Sequence, residues 1–207
     1  MTLRRMLAVE NADLRVTSRV DVELKHGRIH AAPCCVWLTG LSGSGKTTLA
    51  YALRSELLAG NFNPFVIDGD LARKGLCSDL GFSAADRIEN VRRISELACL
   101  LVDGGLIAIV ACISPFEAER QAVRGRFPPH QFLEVYLDTP LHVCEARDCK
   151  GLYAKARSGV IAEFTGISSP YEPPSQPDLQ LDASGAQSPG ELARVVLERL
   201  LRRTTSA

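Results

Sequence analysis

The residues with the clearest chemical purpose are Gly40-Leu41-Ser42-Gly43-Ser44-Gly45-Lys46-Thr47, which match G-x-x-x-x-G-K-[ST] at every fixed position. Glycines at this spacing let successive backbone N–H groups curl around a polyphosphate, and a helix starting near Lys46 aims its positive dipole end at it. Lys46 is placed to reach the β- and γ-phosphates, and the Thr47 hydroxyl to ligate Mg²⁺. Thr48 and the more distant Arg147 join the motif as ATP-binding candidates. A chance Gly/Ser-rich turn is the alternative, but the motif also follows a buried-strand pattern and precedes a helical one. The chain is therefore read as binding a nucleoside triphosphate.

A second constellation ends the next apolar run: Ile67-Asp68-Gly69-Asp70. Two carboxylates at the C-terminal end of a strand lie where open α/β sheets place ligands. One can orient a substrate hydroxyl or accept its proton, and either can hold Mg²⁺ through water; a solvated Asp-Gly-Asp turn is the alternative. Farther on, Arg87 and Asn90 share the helical line that becomes Val91, Ile94, Ala98 and Leu101. A stripe that starts polar and turns apolar suits a guanidinium and an amide facing a bound anion, unless these are simply wet first-turn residues.

The elements that must position these groups alternate. Strands are expected over Cys34–Thr39, Pro64–Asp68, 106–112, Phe132–Leu137 and Leu179–Leu181. Helices are expected from Lys46 to about Ala59, from the capping box Ser83-x-x-Asp86 to about Asp103, from Ser114-Pro115 onward, over 140–147, and from Ser188-Pro189 through Leu201. Strands alternating with helices imply βαβ units, hence a P-loop nucleoside triphosphate hydrolase-like three-layer α/β fold whose parallel sheet is covered by helices on both faces. Residues 33–207 make up this domain. Residues 1–32 form an arm with one edge strand expected around Val20, Val22 and Leu24. Between about 148 and 177 the pattern lapses, and Lys150, Lys155 and Arg157 gather with glycines just after Arg147. A lid closing over anionic ligands is expected there, the alternative being a solvated basic loop.

Composition narrows the partners. The 207 residues carry 24 basic and 24 acidic side chains, so broad electrostatic attraction to nucleic acid or to a membrane is not expected. The 7 cysteines form no close framework and read as small buried hydrophobes in a reducing cytoplasm. No C-x-x-C pair occurs, and His26, His30, His130 and His142 fall in no ligand spacing, so zinc is not expected. The N-terminal apolar run is too short for a signal peptide, and the longest apolar stretch is broken by Asp103-Gly104-Gly105. Neither the N-K-x-D guanine reader of GTP switches nor an ABC-type signature is present. A small-metabolite kinase remains, working by positioning and charge neutralisation.

From about Val36 to Leu200 the sequence resembles the adenylylsulfate (APS) kinase family. The resemblance is carried by the phosphate loop, Asp68-Gly-Asp70, Asp79-Leu-Gly-Phe-Ser83, Asp86-Arg87 with Glu89-Asn90, Ile113-Ser-Pro-Phe116, Lys150-Gly-Leu-Tyr153, Phe164-Thr-Gly-Ile167 and Ser169-Pro-Tyr171. It implies transfer of the ATP γ-phosphoryl group to the 3′-hydroxyl of APS, giving PAPS and ADP with Mg²⁺. It also implies an APS site of Arg73, Phe82, Arg87, Asn90, Ile113, Lys150 and Phe164, with Asp68 and Asp70 beside the reacting hydroxyl and the metal. A homodimer and a functional link to ATP sulfurylase come with it. The residue chemistry agrees: adenine wants an aromatic face, which Phe82 and Phe164 supply unless they are plain core, and a phosphosulfate wants arginine.

Ser114 stands where the family has been viewed as carrying a phosphoserine intermediate. No obvious base is near it in sequence, and Ser-Pro at a helix start is itself an N-cap explanation, so direct in-line transfer is expected. The chain departs from the family's usual Asn at Leu71 and Cys77, Phe at Cys112 and Pro at Cys149. Two further readings stay open: a P-loop kinase for another metabolite, such as a sugar acid or nucleoside, and a non-catalytic ATP- or APS-binding regulatory module. Arg73, Arg87 and Phe82 favour an anionic nucleotide as acceptor.

Overall fold

The computed structural model describes residues 32–204; the expected edge strand near Val20 lies outside them. Five strands, β1 (Cys34–Thr39), β2 (Pro64–Asp68), β3 (Ile107–Ala111), β4 (Phe132–Leu137) and β5 (Leu179–Leu181), form one sheet in the order β2-β3-β1-β4-β5. Every pairing is parallel. All six residues of β1 are buried, which is why its sequence is apolar without alternation: both faces of a central parallel strand are covered.

The two-residue period still sorts the side chains. Cys34, Val36 and Leu38 point into one core, with Leu49, Leu53 and Leu57 of α1 (Lys46–Ala59) and Val196 and Leu200 of α7 (Pro189–Thr204). Cys35 and Trp37 point into the other, with Val91, Ile94 and Ala98 of α3 (Ala84–Asp103) and Val123 of α4 (Glu117–Arg124). Three layers result, as the alternation implied. The order of strands reverses at β1, between β3 and β4, and the crevice beyond its carboxyl end is where such sheets take ligands.

Local signals held where local chemistry decided. Ser83 and Asp86 close the expected capping box, Asp86 N–H to Ser83 Oγ at 3.2 Å and Ser83 N–H to Asp86 Oδ2 at 3.3 Å. Three expectations need correction. The third strand is shorter by one residue at each end. Asp68 ends β2 and at once caps a four-residue helix, α2 (Gly69–Ala72), that hydrophobic pattern alone does not reveal. Finally, Ser114-Pro115 does not open a helix: Ser114 has φ of 40°, Phe116 is extended, and α4 begins at Glu117. Tertiary partners take the Ser114 hydroxyl, so it is unavailable as a cap. The 148–177 stretch, where the strand-and-helix pattern lapses, contains one short helix, α6 (Leu152–Arg157), after α5 (Leu141–Arg147).

Candidate active site

Beyond the carboxyl end of β1 lies a cleft of about 940 Å³. Its donor end is the phosphate loop. Gly40 has φ of 149°, and a Cβ there would stand 2.8 Å from the Leu137 carbonyl; at Gly43, φ of 75°, it would stand 3.0 Å from the Cys144 carbonyl. The loop is thus closed tightly against β4 and α5, and only glycine fits. Gly45 leads into α1 without any side-chain cap, leaving the first helical N–H groups to a ligand.

Ser42, Gly43, Gly45, Lys46, Thr47 and Thr48 line the cleft, as does Arg147. Gly40, Leu41 and Ser44 do not; they shape the loop from behind. Ser44 is fully buried, its carbonyl accepting from Thr139 Oγ1 at 3.0 Å, and Leu41 packs with Leu141 and Ile167. Lys46 Nζ donates to the carbonyls of Gly40 (2.9 Å) and Leu41 (2.6 Å) and to Ser44 Oγ (3.3 Å). Desolvation pulls its pKa from 10.5 down to about 8. Arg147 bridges the loop to the stretch after β5, donating to Gly43 O at 3.3 Å and Ala183 O at 2.7 Å.

The two carboxylates of Asp68-Gly-Asp70 part company. Asp68 is buried, and both its oxygens are engaged: Oδ1 accepts the N–H groups of Asp70 and Leu71, and Oδ2 accepts the Thr47 hydroxyl at 2.7 Å. Asp70 lines the cleft with its side chain 62% exposed and pairs with Lys150 from the expected lid.

The acceptor end brings together the arginines and aromatics that the sequence scattered over 90 positions of chain. Arg73, Phe82, Arg87, Asn90, Ile113, Ser114, Lys150 and Phe164 all face the cleft. The Arg73 guanidinium lies 4.5 Å over the Phe82 ring and that of Arg87 lies 5.8 Å from it, so an exposed aromatic face is flanked by two cations. Arg87 is held rigidly, donating to Phe82 O at 2.9 Å and Glu163 O at 2.7 Å. Burial and the neighbouring Arg73 charge lower its pKa. Asn90 is buried with an unpartnered Oδ1 in this wall, an acceptor that a bound ligand can satisfy.

Ser114 is 2% exposed, and its hydroxyl is occupied: it accepts from Trp37 Nε1 at 3.1 Å and donates to Thr39 Oγ1 at 3.0 Å. Two residues here lie inside the family motifs but receive no role from the sequence. Tyr153 on α6 donates from its hydroxyl to Ser42 O at 2.9 Å and packs edge-on to Phe164 at 4.9 Å, so the segment after Arg147 has its own small core, seated on the phosphate loop. Thr165 is buried beside Phe164 with its hydroxyl unpartnered. No periodicity marks either position. Of the departures from the family pattern, Leu71 is exposed and Cys77 buried, while Cys112 and Cys149 line the cleft.

A parallel sheet, a lysine-bearing loop at its switch point and a cationic, aromatic wall across one shared cleft together define a P-loop phosphotransferase. A sequence model of the family described as adenylylsulphate kinase matches residues 32–182, and the chain belongs to that family. It is 56% identical over 152 residues to the adenylyl-sulfate kinase of Marinobacter nauticus, spanning 73% of this chain and 76% of that one. Against the adenylyl-sulfate kinase of Vibrio cholerae the identity is 56% over 171 residues, 83% of this chain and 79% of that one. Among solved structures it is similar to the Mycobacterium tuberculosis APS kinase CysC in complex with AMPPNP and APS, with TM-score 0.77, 48% identity and coverage of 82% of this chain and 98% of that one.

Proposed function

We infer that the chain transfers the γ-phosphoryl group of ATP to the 3′-hydroxyl of adenosine 5′-phosphosulfate, giving PAPS and ADP. One observation carries this reading: the phosphate loop with Lys46 and the Arg73–Phe82–Arg87–Asn90 wall are two ends of a single cleft. At the donor end, loop amides and Lys46 hold the triphosphate. At the acceptor end, Phe82 and Phe164 offer aromatic faces to adenine, and Arg73 and Arg87 neutralise the phosphosulfate. Between them, Asp70 orients the ribose hydroxyl and takes its proton as the phosphoryl group moves, because Asp68 is already spent on Thr47 and the start of α2. Lys150, paired with Asp70, brings the charge of the 148–177 lid to the reacting centre.

Thr47 and Asp68 suit Mg²⁺: they are hard oxygen donors already 2.7 Å apart. Among the described residues no group of three His, Cys, Asp or Glu gathers, so a cation here would share phosphate oxygens and water, as Mg²⁺ does. When bound, Mg²⁺ supplies charge neutralisation at the phosphates. Among the described residues no helix is long and apolar enough to cross a membrane. All 7 cysteines are free thiols, which fits a cytoplasmic setting. Homodimerisation, and work beside an ATP sulfurylase, belong to this reading through the family resemblance.

The test is ADP release in a coupled assay with ATP and Mg²⁺, with APS present or omitted. APS-dependent release is expected. Binding of APS without release would favour a regulatory module, and release with a sugar acid or nucleoside but not APS would favour the other kinase reading.

A further inference from the structure

Arg120 does not line the cleft, yet both terminal nitrogens of its guanidinium are hydrogen-bonded, one of them to a residue that does. It is 0% exposed, on the inner side of α4. Nη1 donates to Ser114 O at 2.7 Å. Nη2 donates to Glu172 O at 2.6 Å and to Glu117 Oε2 at 2.5 Å. Nε stands 3.2 Å from Glu134 Oε1, an ion pair without a hydrogen bond between the two atoms, and the guanidinium carbon lies 5.8 Å from the Tyr171 ring. Glu134, 1% exposed on β4, is shared with Arg124 at 2.9 Å, and Arg124 reaches Asp178 at 3.0 Å, which pairs in turn with Arg203. Three guanidinium groups thus face the carboxylates of Glu117, Glu134 and Asp178 in one balanced knot.

What the knot grips is informative. Ser114 is held at φ of 40°, a conformation that a non-glycine residue keeps only when its surroundings impose it. Its carbonyl is taken by Arg120 and its hydroxyl by Trp37 and Thr39. Ile113 and Ser114 form cleft wall, and Thr39 closes β1 just before the phosphate loop. On its other side Arg120 holds Glu172, where the strap that carries Phe164 returns to the body. That return is doubly fastened: Glu172 N–H donates to Pro115 O at 2.8 Å, and Glu172 Oε2 accepts the Glu117 N–H at 2.7 Å.

We propose that Arg120 is a positioning residue for phosphoryl transfer: it locks the Ile113–Ser114 wall in its left-handed turn and ties the Phe164 strap to that wall, fixing the acceptor pocket from behind. The proposal rests on the APS reading of the cleft. An ion pair this deep gains little over apolar packing in stability alone, whereas a planar fork joining two backbone carbonyls of different segments sets geometry. Displacement of a reacting group by about 1 Å costs on the order of 10²-fold in rate, so loss of the fork should appear at the acceptor side.

The experiment compares the full-length wild type with Arg120→Lys, which keeps the charge but not the fork, and with Glu117→Gln, at a site partly open to solvent. For each, KM for APS, KM for ATP, kcat and the emission of Trp37, the sole tryptophan, are measured. Arg120→Lys is expected to lower kcat/KM for APS by roughly 10- to 100-fold while KM for ATP moves by less than about twofold, with Trp37 emission altered through Ser114. Glu117→Gln should shift the APS parameter in the same direction, by about threefold. Unchanged APS kinetics in a folded Arg120→Lys protein, or a KM for ATP raised as much as that for APS, would overturn the proposal. If Arg120→Lys does not fold, Glu117→Gln decides: a selective APS effect supports positioning, and none refutes it. A wild type that releases no ADP with APS refutes the acceptor reading instead, a result distinct from any insensitivity of the variants.

Discussion

The Thr47 hydroxyl donates to Asp68 Oδ2 at 2.7 Å while Oδ1 of the same carboxylate accepts the Asp70 and Leu71 N–H groups at 2.9 and 3.2 Å. One side chain therefore joins the start of α1 to the start of α2, two of the helices that border the cleft. Asp68 is held in place by three hydrogen bonds while Asp70 faces the cleft, and the division of labour between two nearby acids follows.

Asp70→Asn should leave folding unchanged within about 0.5 kcal/mol, since the side chain is largely exposed, and lower kcat by roughly 10²- to 10⁴-fold. Asp68→Asn should instead weaken the protein in urea and raise the Mg²⁺ concentration needed for half-maximal rate. The paired denaturation and Mg²⁺ titrations check this; swapped phenotypes would reverse the roles.

Lys46 carries a pH signature. With its pKa near 8 in the folded protein, it is half neutral at pH 8, and a bound triphosphate restores its proton. ATP binding should therefore take up close to one proton at about pH 9 and almost none through this group near pH 7, read by calorimetry in buffers of different ionisation enthalpy. Affinity for ATP should fall as pH rises through 8. For stability the sign is opposite: the unfolded lysine, at its ordinary 10.5, binds more protons between about 8 and 10.5, so this group's contribution grows with pH across that window. Constant proton uptake from pH 7 to 9 would show a lysine of ordinary pKa.

Ser114→Ala leaves the buried Trp37 N–H without its acceptor, a cost of about 1–3 kcal/mol. If the phosphoryl group passes directly to the acceptor, turnover should persist within about tenfold of wild type. Intact-mass analysis after mixing with ATP should show no phosphorylated protein. Complete loss of activity in a folded variant, with a phosphoserine found in the wild type, would establish a covalent route.

Arg87→Ala removes a cation from the Phe82 face and two bonds that hold the wall, to Phe82 O and Glu163 O. The kcat/KM for APS should fall by at least about 10²-fold, as expected when charged hydrogen bonds are lost, with KM for ATP little changed. A matching loss at the ATP side would move Arg87 out of the acceptor pocket.

The amino-acid sequence alone determined the elements and the donor end. An eight-residue loop motif, an apolar run on either side of its period and a capping box are written within a few residues of one another, and the structure keeps the bounds of β1, α1, β2, β4 and β5 as read. Arg87 and Asn90 were legible as cleft residues for the same reason, since a polar start to a core-facing stripe is a local anomaly.

Tertiary structure decided the rest. Ser114 reads as a helix cap until Trp37, 77 residues away, claims its hydroxyl, and Arg120, an ordinary surface-helix residue by its neighbours, becomes the buried centre of a knot drawn from α4, β4 and the Phe164 strap. Which of Asp68 and Asp70 faces the cleft follows from Thr47, and the order within 148–177 follows from Tyr153 meeting the phosphate loop. Local capping and periodicity stabilise a residue by about a kcal/mol, and a buried, long-range hydrogen bond or ion pair outweighs that because leaving it unmade costs more.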